Sequence, residues 1–212
     1  MLILYSKISE HLHENIIKQY LNYFDKDFQN KILNYRRWQD AQLSLLGRVL
    51  LLNFFEENGI SSNEINNIHY NKFGKPFLKG NSSFFNISHS GDIAVCAISD
   101  KSEIGIDIEV ISNIEIDDFK PQFTENEWNK IISSNNKKET FFEYWTQKEA
   151  VIKAHGDGLT LPLNTFDIVD NITHINGEKY YLKEIKIDKQ YRCYISQKMD
   201  VFEISIKEIL IS

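Results

Sequence analysis

Apolar residues along this chain recur at two periods, one of three to four residues and one of two, and the switches between them outline its elements. A short strand at Leu2–Tyr5 leads into helical patterning from about Glu10 to Phe55. The strongest helix lies in "QDAQLSLLGRVLLLNFFEE", where Leu43, Leu46, Leu50 and Phe54 share one face. After a turn-rich stretch come two strands, "SFFNISHS" and "DIAVCAISD", joined at Ser90-Gly91. A third strand follows at about 103–111, with Ile104, Ile106, Ile108 and Val110 on one side and Gly105, Asp107 and Glu109 on the other. Thr124 stands three residues before Glu127, which predicts a capping-box helix start. A longer helix is expected from about Lys138 to Ala154, stopped at His155-Gly156 where glycine can take the left-handed cap. From Leu161 onward, strand-like pieces alternate with polar turns.

The pentapeptide "VCAIS" (Val95–Ser99) is echoed by "RCYIS" (Arg192–Ser196) 97 residues later, and helical sequence precedes strands in both halves. The expected fold class is therefore α+β and pseudo-duplicated, with a small antiparallel sheet and helices in each half.

Charge and cysteines narrow the function classes. A formal net charge of −6 argues against a dedicated nucleic-acid binder but leaves room for a local phosphate pocket. Cys96 and Cys193 both sit in apolar strand segments, which predicts buried free thiols in a reducing compartment. The N-terminal apolar run is too short for a signal peptide, and no segment reaches the length of a membrane span. A cytoplasmic protein without membrane attachment is expected.

Candidate chemistry centres on acids. Asp107 and Glu109 lie about 6.6 Å apart along one face of their strand. Their repulsion is about 0.6 kcal/mol in water and about 2.5 kcal/mol at an effective dielectric of 20. Both an ordinary solvated face and a cation site fit that spacing. Glu149 adds a second clue, because it falls about 40° from Trp145 on a helical wheel, inside the stripe formed by Phe141, Phe142 and Ile152. A carboxylate on a core-facing stripe needs a partner. Lys153, one turn on, could serve. So could a metal ion shared with Asp107 and Glu109; three hard oxygen ligands suit magnesium and its habit of binding substrate phosphates. Groups that could meet phosphate are Lys75 in the turn "FGKPF" and Ser88, His89 and Ser90 in "FNISHSG". Each also has an ordinary reading as a surface turn or a hairpin end. Lys31, Arg36 and Arg37 read as a solvated helix face, and Gly156-Asp157-Gly158 as a helix stop.

In combination, "FGKPF", "FNISHS", "IGIDIE" and "YWTQKEAVIKAHGDGL" resemble, in order and spacing, the Sfp-type 4′-phosphopantetheinyl transferases, over about Lys31 to Leu163. The resemblance implies two similar α+β halves, here 1–103 and 104–212, with coenzyme A and the metal site between them, in a monomer that is a pseudo-dimer. It implies transfer of the phosphopantetheine arm to a serine of an apo acyl or peptidyl carrier protein, with magnesium as cofactor. Carried over residue by residue, Asp107, Glu109 and Glu149 would hold magnesium, with Asp107, Glu149 and Lys153 catalytic. Lys153 would also contact a phosphate; on coenzyme A, Phe73, Gly74 and Lys75 would meet the adenine and the phosphates, Ser88 and His89 would bind phosphate, and Lys31, Ser44 and His89 would lie toward the 3′-phosphate. The chain departs from the family pattern at Leu43, where an arginine is usual, and at Phe28, where a basic residue is usual with Lys26 close by. Phe119, Phe123 and Trp128 could dock the carrier or pack in the core. An inactive carrier-binding module of the same fold is the alternative. No glycine-rich nucleotide loop of the Walker or kinase kind occurs.

Overall fold

The computed structural model describes residues 1–80 and 83–211. The chain separates into two compact units, one of Met1–Asn71, Pro76–Asp100 and Ile204–Ser212, the other of Lys72–Lys75 and Lys101–Glu203.

The first unit opens with β1 (Leu2–Lys7) and the helices α1 (His13–Tyr20), α2 (Lys26–Leu33) and α3 (Trp38–Glu57). The continuous helical patterning is thus broken into short helices before α3. Asp25 stops one such break by capping α2, accepting from Phe28 N–H at 2.8 Å. Then come β2 (Ile68–Tyr70), β3 (Pro76–Leu78), β4 (Phe84–Ser90) and β5 (Ile93–Ser99). Gly91, at φ +54°, makes the β4–β5 turn. The main sheet runs β10-β1-β5-β4, where β10 (Ser205–Glu208) returns from the C-terminus to pair in parallel with β1. That return places the last segment with the first unit, whereas a cut near residue 103 would leave it in the second. Its physical reason is the edge of β1, whose backbone groups β10 satisfies. α3 packs across β4 and β5 with Leu45, Leu46, Leu50 and Phe55 fully buried. The approach is close because Gly47 has no side chain; a Cβ there would lie 2.6 Å from Ile87 Cγ2.

The second unit comprises β6 (Ile104–Val110), α4 (Glu125–Ser133), α5 (Lys137–His155), β7 (Ile172–Ile175), β8 (Glu178–Glu184) and β9 (Tyr191–Gln197). Its sheet runs β6-β9-β8-β7, antiparallel throughout. α5 ends at Gly156 with φ +90°, the left-handed cap its sequence predicts.

The two units repeat one plan. In each, a first strand and a long helix precede an antiparallel pair, β4–β5 in one and β8–β9 in the other, whose second strand inserts next to the first strand of the unit: β5 between β1 and β4, β9 between β6 and β8. The "VCAIS" and "RCYIS" echoes fall on those two inserted strands, and Cys96 and Cys193 are free and buried at equivalent places. The pseudo-duplicated α+β fold is present. Among the described residues no helix is long and apolar enough to cross a membrane.

Candidate active site

The acidic face of β6 does not look into solvent. Gly105, Asp107 and Glu109 share the face that α5 covers, and a Cβ on Gly105 would collide with Ala150 O and Ala154 N and come within 2.8 Å of the Lys153 carbonyl carbon. Glycine lets the helix backbone settle on the strand, and this close approach brings the side chains of α5 over the acids. Asp107 is 4% exposed, and the Lys153 ammonium donates to its Oδ1 at 2.7 Å. Glu149, one turn before Lys153 on α5, is half-buried. Its carboxyl is pushed above the ordinary glutamate range by burial, then by the charge of Asp107, with Lys153 opposing and Glu109 adding to the rise. Asp107, Glu109, Glu149 and Lys153 therefore share one field. Of the two expected partners of Glu149, Lys153 bonds to Asp107 Oδ1.

Phe73, Gly74 and Lys75 arrive beside the same helix end. Lys75 Nζ donates to Ala154 O at 3.2 Å and pairs with Glu103, so it caps the C-terminal carbonyls of α5 as well as offering a cation. Gly74 turns the chain at φ +85°, and the backbone oxygen of Phe73 lies 3.5 Å from where a Cβ on Gly158 would stand. Seven of the expected site residues thus belong to the second unit: Phe73, Gly74, Lys75, Asp107, Glu109, Glu149 and Lys153. Lys31, Ser44, Ser88 and His89 belong to the first. Lys31 is exposed on α2, Ser44 is half-buried on α3, Ser88 is buried in β4 and His89 is exposed beside it. Leu43 and Phe28, which stand where the resemblance has cations, are both core residues.

Sequence reasoning passed over Lys148, the neighbour of Glu149. Its ammonium is fully buried and uses its three protons on Glu127 Oε2 at 2.8 Å, Leu163 O at 2.7 Å and Phe166 O at 2.7 Å. Glu127 closes the capping box with Thr124 and also accepts from Ile168 N–H at 3.0 Å. This node ties α4, α5 and the 163–168 segment together and fixes the rotation of α5, so that Glu149 and Lys153 turn toward β6. The signal for it was the capping-box glutamate itself, which does both jobs. Phe119, Phe123 and Trp128 pack with Phe141 and Trp145 in an aromatic cluster, where Phe123 and Trp128 are buried. Core packing accounts for them.

Whether the acids suit a metal can be judged from their chemistry. Among the described residues no three His, Cys, Asp or Glu side chains stand as a ready-made metal cluster. The donors are nonetheless all carboxylate oxygens, and the charges of Asp107 and Glu109 raise the proton affinity of Glu149, with one lysine against three acids. A hard divalent cation would relieve that repulsion, so the donor set fits magnesium.

Residues 103–200 match the 4′-phosphopantetheinyl transferase superfamily, and residues 12–101 match the family described as 4′-phosphopantetheinyl transferase, N-terminal. The chain is 36% identical over 184 residues to 4′-phosphopantetheinyl transferase gsp of Aneurinibacillus migulanus, covering 86% of this chain and 77% of that protein. It is 26% identical over 211 residues to 4′-phosphopantetheinyl transferase Sfp of Bacillus subtilis, covering 91% and 92%. The L-aminoadipate-semialdehyde dehydrogenase-phosphopantetheinyl transferase of Xenopus laevis is 39% identical over 131 residues, 54% of this chain and 43% of that one. With the repeated strand–helix–strand–strand plan, the acidic face under α5 and near full-length similarity, the chain belongs to the Sfp-type 4′-phosphopantetheinyl transferase family.

Proposed function

We propose that this protein moves the 4′-phosphopantetheine arm of coenzyme A onto a serine of an apo acyl or peptidyl carrier protein and releases adenosine 3′,5′-bisphosphate. Membership of the family supports the transferase activity. The observation that carries the chemistry is the cluster of Glu149, Asp107 and Lys153 over the glycine step of β6. In the reaction, the serine oxygen forms a bond to the β-phosphorus, the bond from that phosphorus to the bridging oxygen breaks, and the adenosine bisphosphate leaves with the electron pair. Glu149 takes the serine proton, a role that needs a half-buried carboxylate open to the substrate. Lys153, held by Asp107, offsets charge on the departing phosphate. Lys75 is fixed at the end of α5, where it can meet a phosphate. Asp107, Glu109 and Glu149 would hold magnesium, which when bound supplies neutralisation of the pyrophosphate. Lys31, Ser44, Ser88 and His89 are assigned to the same co-substrate. The working form is taken to be a cytoplasmic monomer, as one chain already carries both copies of the repeat.

The test incubates the protein with an apo carrier, coenzyme A and magnesium, and weighs the carrier. A gain of one phosphopantetheine group supports the reading; carrier binding without a gain supports the inactive module. Glu149→Gln should lower the rate by about 10²–10⁴-fold. Chelation by EDTA should stop transfer and added magnesium restore it. Unchanged rates in both cases would remove Glu149 and the metal from the mechanism.

A further inference from the structure

One buried polar chain of the second unit has no part in the reaction above, and it meets α5 at that helix's last residue, His155. The His155 side chain is 10% exposed, yet both of its ring nitrogens face oxygen. Nε2 lies 3.3 Å from Asp157 Oδ2, and Nδ1 lies 2.9 Å from Tyr180 Oη. Tyr180 is 1% exposed and donates its single proton to Glu178 Oε2 at 3.0 Å; burial and that bond together hold the proton in place. Lys198 fixes the same carboxylate through Oε1 at 2.5 Å. The phenol oxygen is left as an acceptor toward His155, as is the Asp157 carboxylate. The imidazole therefore meets an acceptor at each nitrogen and bridges Asp157 to β8.

What the bridge holds is a turn with glycine on both sides. Asp157 stands between Gly156 at φ +90° and Gly158 at φ +58°, residues whose backbones are the least restricted of any. Against this turn lies the segment that carries Lys75. The Phe73 oxygen is 3.5 Å from where a Cβ on Gly158 would stand, and Lys75 Nζ donates to Ala154 O, next to His155. For packing alone an apolar ring at 155 would serve, without polar atoms to bury. The polar chain from Lys198 through Glu178, Tyr180 and His155 ends instead on Asp157, in that turn.

We propose that His155 is a positioning residue for coenzyme A: its bridge from Tyr180 to Asp157 fixes the 156–158 turn against Phe73, and so sets Lys75 where it meets a phosphate of the co-substrate. The assignment rests on the proposed transferase reading and deepens it. His155 touches no reacting atom. It limits the positions open to Lys75 before coenzyme A arrives, so less freedom is lost on binding. Loss of the bridge is felt in the affinity for coenzyme A, not in the chemical step or in the affinity for the carrier.

The test measures KM for coenzyme A, KM for the apo carrier, and kcat. Asp157→Ala removes the far end of the bridge at a side chain that is 46% exposed, where little packing is disturbed. KM for coenzyme A should rise by about five- to tenfold, as expected when one hydrogen bond that orders the site is lost, with KM for the carrier and kcat within about twofold. His155→Phe, which keeps a ring and loses both nitrogens, should do the same, and the double variant should be no worse than either single one, because the two residues form one tether. Asp157→Asn still accepts and should keep KM near the wild-type value. If His155→Phe fails to fold, the two Asp157 variants decide. An unchanged KM for coenzyme A in Asp157→Ala, a rise shared with the carrier, or a fall in kcat alone would overturn the proposal. If the wild-type protein transfers nothing, the transferase reading fails instead, and calorimetry with coenzyme A decides on His155. Asp157→Ala should then bind coenzyme A about fivefold more weakly than the wild type; equal affinities, or no binding by either, would refute the role.

Discussion

Replacing Lys148 by methionine keeps an unbranched apolar stem, one atom shorter, and removes its charge and its three donors. The wild-type ammonium and the Glu127 carboxylate are 0% and 1% exposed, so water cannot take over when one is lost. Breaking a buried pair by deleting one member costs about 3–5 kcal/mol, because the survivor is left charged and unpaired. The carbonyls of Leu163 and Phe166 also lose their donor, which places the expected loss toward the upper end of that range. Against a total stability of about 5–15 kcal/mol, this is a large fraction. Urea titration followed by far-ultraviolet circular dichroism measures it, and with two compact units the shift should fall in the transition of the second. The double variant Lys148→Met/Glu127→Gln should be more stable than the single one, since the amide still accepts from Ile168 N–H and carries no buried charge. A loss below about 1 kcal/mol in the single variant, or a double variant showing the sum of two penalties, would refute the reasoning.

The close approach of α5 to β6 predicts that Gly105→Ala forces the helix off the strand; a loss of about 1–3 kcal/mol and a fall in transfer rate are expected together, and full activity with wild-type stability would contradict the contact. Burial raises the proton affinity of both Cys96 and Cys193, so neither thiol should react with iodoacetamide in the native protein and both should react in guanidinium chloride. Labelling of either under native conditions would show the strands open. Tyr180 and Tyr194 are also raised, by burial first and then by Glu178 and Glu143 respectively. The native state therefore keeps their protons longer than the unfolded chain, so their contribution is full below pH about 10 and is lost as pH rises above it. The urea midpoint should fall between pH 9 and 11; a flat profile would count against the burial of these phenols.

Much of this fold was legible because its elements are strongly periodic. The alternation in Ile104–Val110, the hairpin turn at Gly91 and the glycine stop at Gly156 each depend on local chemistry that the chain spells out. The return of β10 to β1 was not legible. Ser205–Glu208 is short and exposed, and its place is decided by the edge it covers rather than by any pattern of its own. In the site, the acids of β6 and the cation one turn past Glu149 could be found by spacing, but spacing alone did not decide whether Asp107 faces solvent or a site.

What decided its surroundings was Gly105, two residues earlier. A glycine in a strand is usually read as a weak point or a bulge. Here it is the position where a helix backbone touches the sheet, and the acids at 107 and 109 inherit the covered face from it. The same logic applies to Gly47, which lets α3 close on Ile87 in the first unit. Each long helix therefore meets its sheet through one glycine, and each carries its polar residues a few positions from that contact: Ser44 and Arg48 on α3, Glu149 and Lys153 on α5. A helix pinned at backbone distance has little freedom to roll, and the Lys148–Glu127 node locks what remains in α5. Charged side chains can be aimed at a phosphate only from such a fixed frame, because a rotation of one residue, about 100° of helix, would carry Glu149 away from Asp107 altogether.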